Sequence, residues 1–342
     1  MSNTVSILGA GWVTPHGRSL PEVWKKMLHG ELPRCETLTL AGKAWPCYRV
    51  DPSSLPETNA VPRLRRSGHI SHLALGAAIN AVEAANLTEE QKSQLAILFA
   101  TSDGGVTYTH RFFAELGVRG PAAGSPLLFP ETVYNAAASH IAAYFHSDRE
   151  ATAMVGDAAV ALSAIATGRE MLSSGLAEHV LIVAANECDA ISAAGYSRWN
   201  FLCQSQDDPV GNIFSEGAAA IVLGPHQRKK PAILWCEEGR PYFSQHEASD
   251  SLQEILTRHK ISPSLVFPSC RRTPMHNLEE EATNQLDGER IDLKKSLGEG
   301  LAFTAMAQIV AASHHAETSP QTALVTVLGF ASGSAAAYVS SR

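Results

Sequence analysis

Cys270 stands beside Arg271 and Arg272, and guanidinium groups next to a thiol lower its pKa and make it a candidate nucleophile. Glu299 follows Lys294 and Lys295 closely, which suits either a general acid or an ion-pair partner. The other cysteines, at 35, 47, 188, 203 and 236, form no C-x-x-C pair, and none lies between Cys47 and Cys188. The 14 histidines include the adjacent His314 and His315 but no H-E-x-x-H, so no metal is assigned. Gly9-Ala10-Gly11 opens like a dinucleotide-binding turn, yet the third glycine is missing and Pro15 sits where a helix should be turning. No nicotinamide or flavin cofactor is therefore expected.

The elements that must position these groups follow an α/β pattern, with short β-branched runs alternating with Ala-rich stretches of helical period. Strands are expected at 5–8, 95–100, 151–155, 180–184, 218–223, 232–236, 265–268, 324–328 and 335–339. Helices are expected at 73–85, 133–145, 160–173, 249–259, 277–286 and 301–314. Stretches 32–62 and 119–130 are rich in Pro and Gly and read as long surface excursions. Gln227-Arg228-Lys229-Lys230-Pro231 is the expected joint between an N-terminal half, 1–226, and a C-terminal half, 231–342.

The chain has 342 residues and a net charge of -7, with 45% apolar and 18% charged residues. That composition excludes intrinsic disorder and a nucleic-acid-binding stripe. No apolar run approaches the ~20 residues of a membrane span, and no signal pattern follows Met1, so a cytoplasmic location is expected.

Several segments, in order along the chain, carry a resemblance. Gly9-Ala10-Gly11-Trp12-Val13-Thr14-Pro15 continues into Gly17, and 98–105 forms a strand and glycine turn. Phe129-Pro130 leads to Asn135-Ala136-Ala137-Ala138, and Ser215-Glu216-Gly217-Ala218-Ala219 precedes an apolar strand. Gly329-Phe330-Ala331-Ser332-Gly333-Ser334-Ala335 closes the series. Together they resemble the β-ketoacyl-acyl-carrier-protein synthases, which implies the thiolase fold: two similar βα halves in an αβαβα layered arrangement.

The resemblance implies that three active-site positions are degenerate. A ketosynthase needs a thiolate at a helix N-terminus and two histidines acting on the malonyl thioester. Counting back from Gly175 puts the nucleophile position at Ala158, with Asp157 one residue before it. The first histidine corresponds to Ser269 in Ser269-Cys270-Arg271-Arg272-Thr273-Pro274, with a downstream glutamate at Glu280. The second falls on Glu299 in Lys294-Lys295-Ser296-Leu297-Gly298-Glu299. Gly329 and Phe330 correspond to the loop whose phenylalanine gates the acyl pocket; the sequence leaves open whether that pocket is empty, since one side chain such as Phe303 or Met306 on the helix after Glu299 could fill it.

Loss of the whole set resembles the chain-length-factor subunits of type II polyketide and aryl-polyene systems. The expected partner is an active ketosynthase, joined along strand 151–155 and walled by 105–138, with acyl carrier protein reached through the complex. Carrier docking would use Arg228, Lys229 and Lys230, or Arg63, Arg65 and Arg66. Two rival readings are an acyltransferase, thioesterase or decarboxylase using Cys270, Asp157 or Glu299, and a homodimeric module that binds an acyl chain or carrier protein.

Overall fold

A computed structural model describes residues 4–56, 62–205, 207–319, 321–331 and 333–341. Ser332 lies outside the described residues, as does the side chain of Arg63. In chain order the N-terminal elements are β1 (Val5–Val13), α1 (Leu20–Leu28), β2 (Cys35–Leu40), β3 (Lys43–Tyr48), α2 (His69–Ala85), α3 (Glu89–Ser93), β4 (Ala96–Thr101) and α4 (Val106–Arg119). They continue with α5 (Ala136–Phe145), β5 (Ala151–Val155), α6 (Val160–Ser173), β6 (Val180–Asn186), α7 (Ala190–Arg198), β7 (Phe214–Ser215) and β8 (Gly217–Gly224). After the exposed turn at 225–229 come β9 (Ala232–Glu238), α8 (Gln245–Arg258), β10 (Leu265–Phe267), α9 (His276–Thr283), β11 (Glu289–Arg290), α10 (Lys294–Leu297), α11 (Ala302–Thr318), β12 (Thr322–Leu328) and β13 (Ser334–Ser340).

Ten strands form a mixed sheet in the order β11-β10-β12-β13-β9-β1-β8-β6-β4-β5. It divides into two groups of five, because β1 and β9 share only the pairs Val5–Ile233 and Ser6–Ala232. Helices α6 and α11 touch strands of both groups, while α2 and α5 cover the first group and α8 the second. The result is the expected thiolase-like arrangement, with α6 and α11 as its middle layer. Central strands are buried on both faces, as β6, β8 and β13 show, which is why their sequences read as continuous apolar runs rather than alternating ones.

The first strand is longer than the expected 5–8, running on to Val13 and pairing with β8. Its glycines are not turn residues. A Cβ on Gly9 would lie 2.3 Å from the Ala81 carbonyl oxygen, and one on Gly11 would lie 2.6 Å from Asn80, so both are small to let α2 pack directly on the strand. The 32–62 excursion also holds more order than expected, since β2 and β3 form a hairpin whose far strand meets β7. Helices α1, α4 and α7 lie where no helix was expected. Helix α4 has no fully buried residue, although Phe112, Phe113 and Leu116 recur at helical spacing.

Strand β5 is the outermost strand of the first group, paired on one side with β4. Among the described residues its other side has no strand, and Val155 is 47% exposed.

Candidate functional site

The turn between β5 and α6 delivers Asp157 and Ala158 to the middle layer. Ala158 is buried and offers only a methyl group. Asp157, also buried, turns its carboxylate into the 329–333 loop, accepting from the Ala159 N–H at 3.0 Å, the Ala331 N–H at 3.0 Å and the Gly333 N–H at 3.1 Å. Burial raises its pKa, and the three amides only partly offset that. A Cβ on Gly329 would lie 1.9 Å from an Asp157 oxygen, so the loop can close on the carboxylate only because that residue is glycine.

Two further contacts fix the loop. The Tyr242 hydroxyl donates to the Gly329 carbonyl. The half-buried Phe330 ring packs edge-on against Tyr196 at 5.0 Å and against Phe201 at 5.4 Å. Tyr196 is held in turn by Asp103, to which its hydroxyl donates at 2.6 Å. Burial raises the pKa of Asp103 against the pull of that hydrogen bond. Neither Asp103 nor Tyr196 was singled out in the sequence. The only available signal was that Asp103 follows the strand in the 98–105 motif.

Ser269 and Cys270 lie after β10 and share one acceptor. Both backbone N–H groups donate to Glu279, at 2.9 and 2.7 Å, and the Ser269 hydroxyl donates to it at 3.1 Å while accepting from the Leu328 N–H at 3.1 Å. Thr326 adds a fourth donor at 2.7 Å. The glutamate that anchors this turn is therefore Glu279, the neighbour of the Glu280 that the resemblance singled out. Glu280 is exposed and faces only His276, at 3.6 Å. Both residues fit the helical pattern, and the inward face of α9 takes Glu279. The Cys270 sulfur is buried and points to the Leu328 carbonyl at 3.3 Å. Burial, with the Glu279 charge adding to it, pushes that thiol well above its ordinary value. Arg271 is engaged elsewhere, with Asp292 at 2.9 Å, so it does not activate the thiol.

Glu299 precedes α11 and is almost fully buried against Lys294 in a short ion pair. Its other oxygen accepts from the Leu301 N–H at 2.8 Å. Leu301 adopts φ 52°, an uncommon conformation for a non-glycine residue. Burial alone would lower the Lys294 pKa, but the Glu299 charge raises it above its ordinary value. The backbone of Glu299 is also stitched to the segment around β7, with its N–H donating to Ile213 and its carbonyl accepting from Ser215, both at 2.8 Å. Behind it, the Phe303 ring lies against Gly217, and Phe303 and Met306 are both fully buried.

The remaining motif glutamate, Glu216, is a structural anchor. It accepts from the Val50 and Cys188 N–H groups and from His69 at 2.9 Å. Burial opposes its ionisation, but the His69 contact and the Arg49 charge hold its pKa below the usual carboxylate range. Among the described residues, no cluster of three or more His, Cys, Asp or Glu could hold a metal ion, and no helix is long and apolar enough to cross a membrane. Arg65, Arg66, Arg228 and Lys229 are all exposed.

The model of the β-ketoacyl synthase N-terminal domain matches residues 2–229. The chain belongs to the β-ketoacyl synthase family. Among solved structures, the ishigamide ketosynthase/chain length factor superposes with a TM-score of 0.84 at 17% identity, over 98% of this chain and 99% of that one. The ketosynthase ApeO in complex with its chain length factor ApeC, from Xenorhabdus doucetiae, gives 0.80 at 16% identity, over 98% and 97%. A β-ketoacyl synthase from Burkholderia phymatum STM815 gives 0.81 at 15% identity, over 98% of each chain. At these identities the likeness establishes the thiolase-like ketosynthase fold. No curated protein matches the chain by sequence.

The groups at the positions that the resemblance singled out are bound up in internal contacts. Ala158 has no nucleophilic atom. Ser269 is bound on both its donor and acceptor sides, Glu299 is tied to a buried lysine, and the loop amides nearest the α6 turn are occupied by a carboxylate. Stabilising a developing oxyanion needs free donors aimed at it, and the described geometry uses these donors for internal contacts.

Proposed function

We propose that this chain is a non-catalytic β-ketoacyl-synthase-like subunit of the chain-length-factor type. It would pair with an active ketosynthase and set the acyl channel during polyketide or aryl-polyene-type chain elongation. The observation that carries this reading is that the three positions expected to do chemistry hold Ala158, Ser269 and Glu299, each absorbed into the structure. Loss at one position would describe a damaged enzyme. Coordinated replacement by groups with mutually satisfied partners describes a site rebuilt for another purpose.

The pairing surface is supported by the open side of β5 and by exposed apolar groups on the expected wall. Phe113 is 60% exposed, Leu127 60% and Phe129 55%, on the 105–138 stretch. Solitary exposed apolar residues are ordinary, but this many on one stretch suit a buried interface. Two of the structurally similar proteins are described as pairing a ketosynthase with a chain length factor, which supports the same arrangement here. On this reading the halves 1–226 and 231–342 are two βα units joined at 227–231, and Phe330 is the remnant of an acyl-pocket gate.

The test is to purify the chain alone and together with a co-expressed ketosynthase. Alone, it should neither condense malonyl and acyl carrier-protein thioesters nor gain an acyl adduct by intact mass. With the ketosynthase it should form a heterodimer and change the length of the product chain. Condensation by the isolated chain refutes the proposal.

A further inference from the structure

The hairpin of β2 and β3 and the outer side of α7 enclose a cavity of about 480 Å³ that the proposed function does not use. Small-molecule sites commonly span ~300–1,000 Å³ and combine apolar walls with a few placed polar groups. Here the walls include Leu40, Ala44, Trp45 and Ala194, and the charged groups are Lys43 and Arg198. Among the described residues no acidic side chain lines the cavity.

The walls are preformed. The Trp45 indole N–H donates to the Ser197 hydroxyl at 3.0 Å, which ties the hairpin to α7. Trp45 is 6% exposed and belongs to a buried cluster that includes Leu38, Tyr196 and Phe214. The hairpin closes through Ala41 and Gly42, both at positive φ, which is the two-residue turn that suits strand twist. The apolar surface beside the cavity is therefore backed by the core.

The two cations share one opening. Lys43 and Arg198 both line the cavity and, like most lysines and arginines of the chain, neither faces a carboxylate in an ion pair among the described residues. Two like charges at one apolar cavity repel each other and raise the local concentration of anions. An arginine also presents a planar fork matched to a carboxylate.

We propose that this cavity binds an amphiphilic monocarboxylate, with its carboxylate between Lys43 and Arg198 and its apolar body against Leu40, Ala44 and Trp45. The site is on the outer side of α7 and is independent of the subunit role proposed above.

Octanoate, 1-octanol and octyltrimethylammonium serve as probes of one tail length and three head-group charges, with affinity read by calorimetry and the site by ligand-observed NMR. Octanoate should bind most tightly, and the Lys43→Ala/Arg198→Ala variant should weaken it by about tenfold or more. Ala194→Trp, which keeps both charges but fills the cavity, should abolish binding, with circular dichroism confirming that each variant is folded. The proposal is overturned if octanoate binds no better than octanol, if octyltrimethylammonium binds as well, or if the folded double-alanine or Ala194→Trp protein retains full octanoate affinity.

Discussion

Removing the Asp157 carboxylate should release the 329–333 loop while leaving the rest of the fold almost unchanged. In Asp157→Ala three amides lose their acceptor, those of Ala159, Ala331 and Gly333. Only the Ala159 contact is fully buried, and an amide left unpaired there costs ~1–3 kcal/mol. Ala331 is exposed, so its amide can turn to water at little cost. The substitution also removes a charge that burial disfavours, since the Asp157 pKa is raised. The net loss of global stability should therefore be small, about 1–2 kcal/mol. Local protection should fall far more, by about tenfold or more in amide exchange at Ala331 and Gly333, because a tenfold change needs only ~1.4 kcal/mol.

Asp157→Asn separates the contributions. Both loop amides donate to the same oxygen, which asparagine can supply, while its NH2 would face the Ala159 N–H. Loop protection should survive in that variant and the start of α6 should loosen. The pH dependence has a definite sign. Asp157 binds its proton more tightly folded than unfolded, so the wild type loses stability as pH rises from the ordinary 3.8 through the raised value. Asp157→Ala should lack that loss. Hydrogen-exchange mass spectrometry on peptides spanning 328–335 is the assay. Unchanged exchange at Ala331 and Gly333 in Asp157→Ala would refute the reasoning.

Three other outcomes are expected. Glu299→Ala strands the buried Lys294 charge and should cost ~3–5 kcal/mol in urea unfolding, with the double change Lys294→Met/Glu299→Leu costing clearly less. Glu279→Gln places an NH2 among four donors and should cost ~2–4 kcal/mol, whereas Glu280→Gln on the exposed side of α9 should change stability by less than ~0.5 kcal/mol. Ala158→Cys should stay free of acyl adduct by intact mass after incubation with acyl carrier-protein thioesters, because the neighbouring Asp157 charge raises the new thiol's pKa and occupies the nearby amides.

The sequence was most legible where one physical signal dominated. Strand 151–155 and helix 160–173 appear with the expected bounds, the first being a short β-branched run and the second an uninterrupted apolar period. Both glycines of β1 misled, because a glycine needed for close helix packing looks the same in sequence as one needed for a turn. Helix α4 was missed although Phe112, Phe113 and Leu116 recur at helical spacing. At the site, Ala158, Ser269 and Glu299 were singled out through the family resemblance, and nothing in the residues alone pointed to their partners. The grip of Asp157 on amides 174 and 176 residues away, and the choice of Glu279 over its neighbour, depend on which way side chains face once distant segments meet.

The middle layer has a consequence for how the protein is made. The inner face of the first five strands is covered by both α6 and α11, yet α11 runs only from Ala302 to Thr318, almost eighty residues after the last of those strands. A nascent chain on the ribosome, with β1 through β8 complete, would still expose the apolar face that α11 later covers, including parts of β1, β6 and β8. Domains generally fold as units during synthesis, but this one has no self-sufficient first unit. It would remain dependent on chaperones until α11 has been translated, and a fragment ending near residue 226 would aggregate rather than fold.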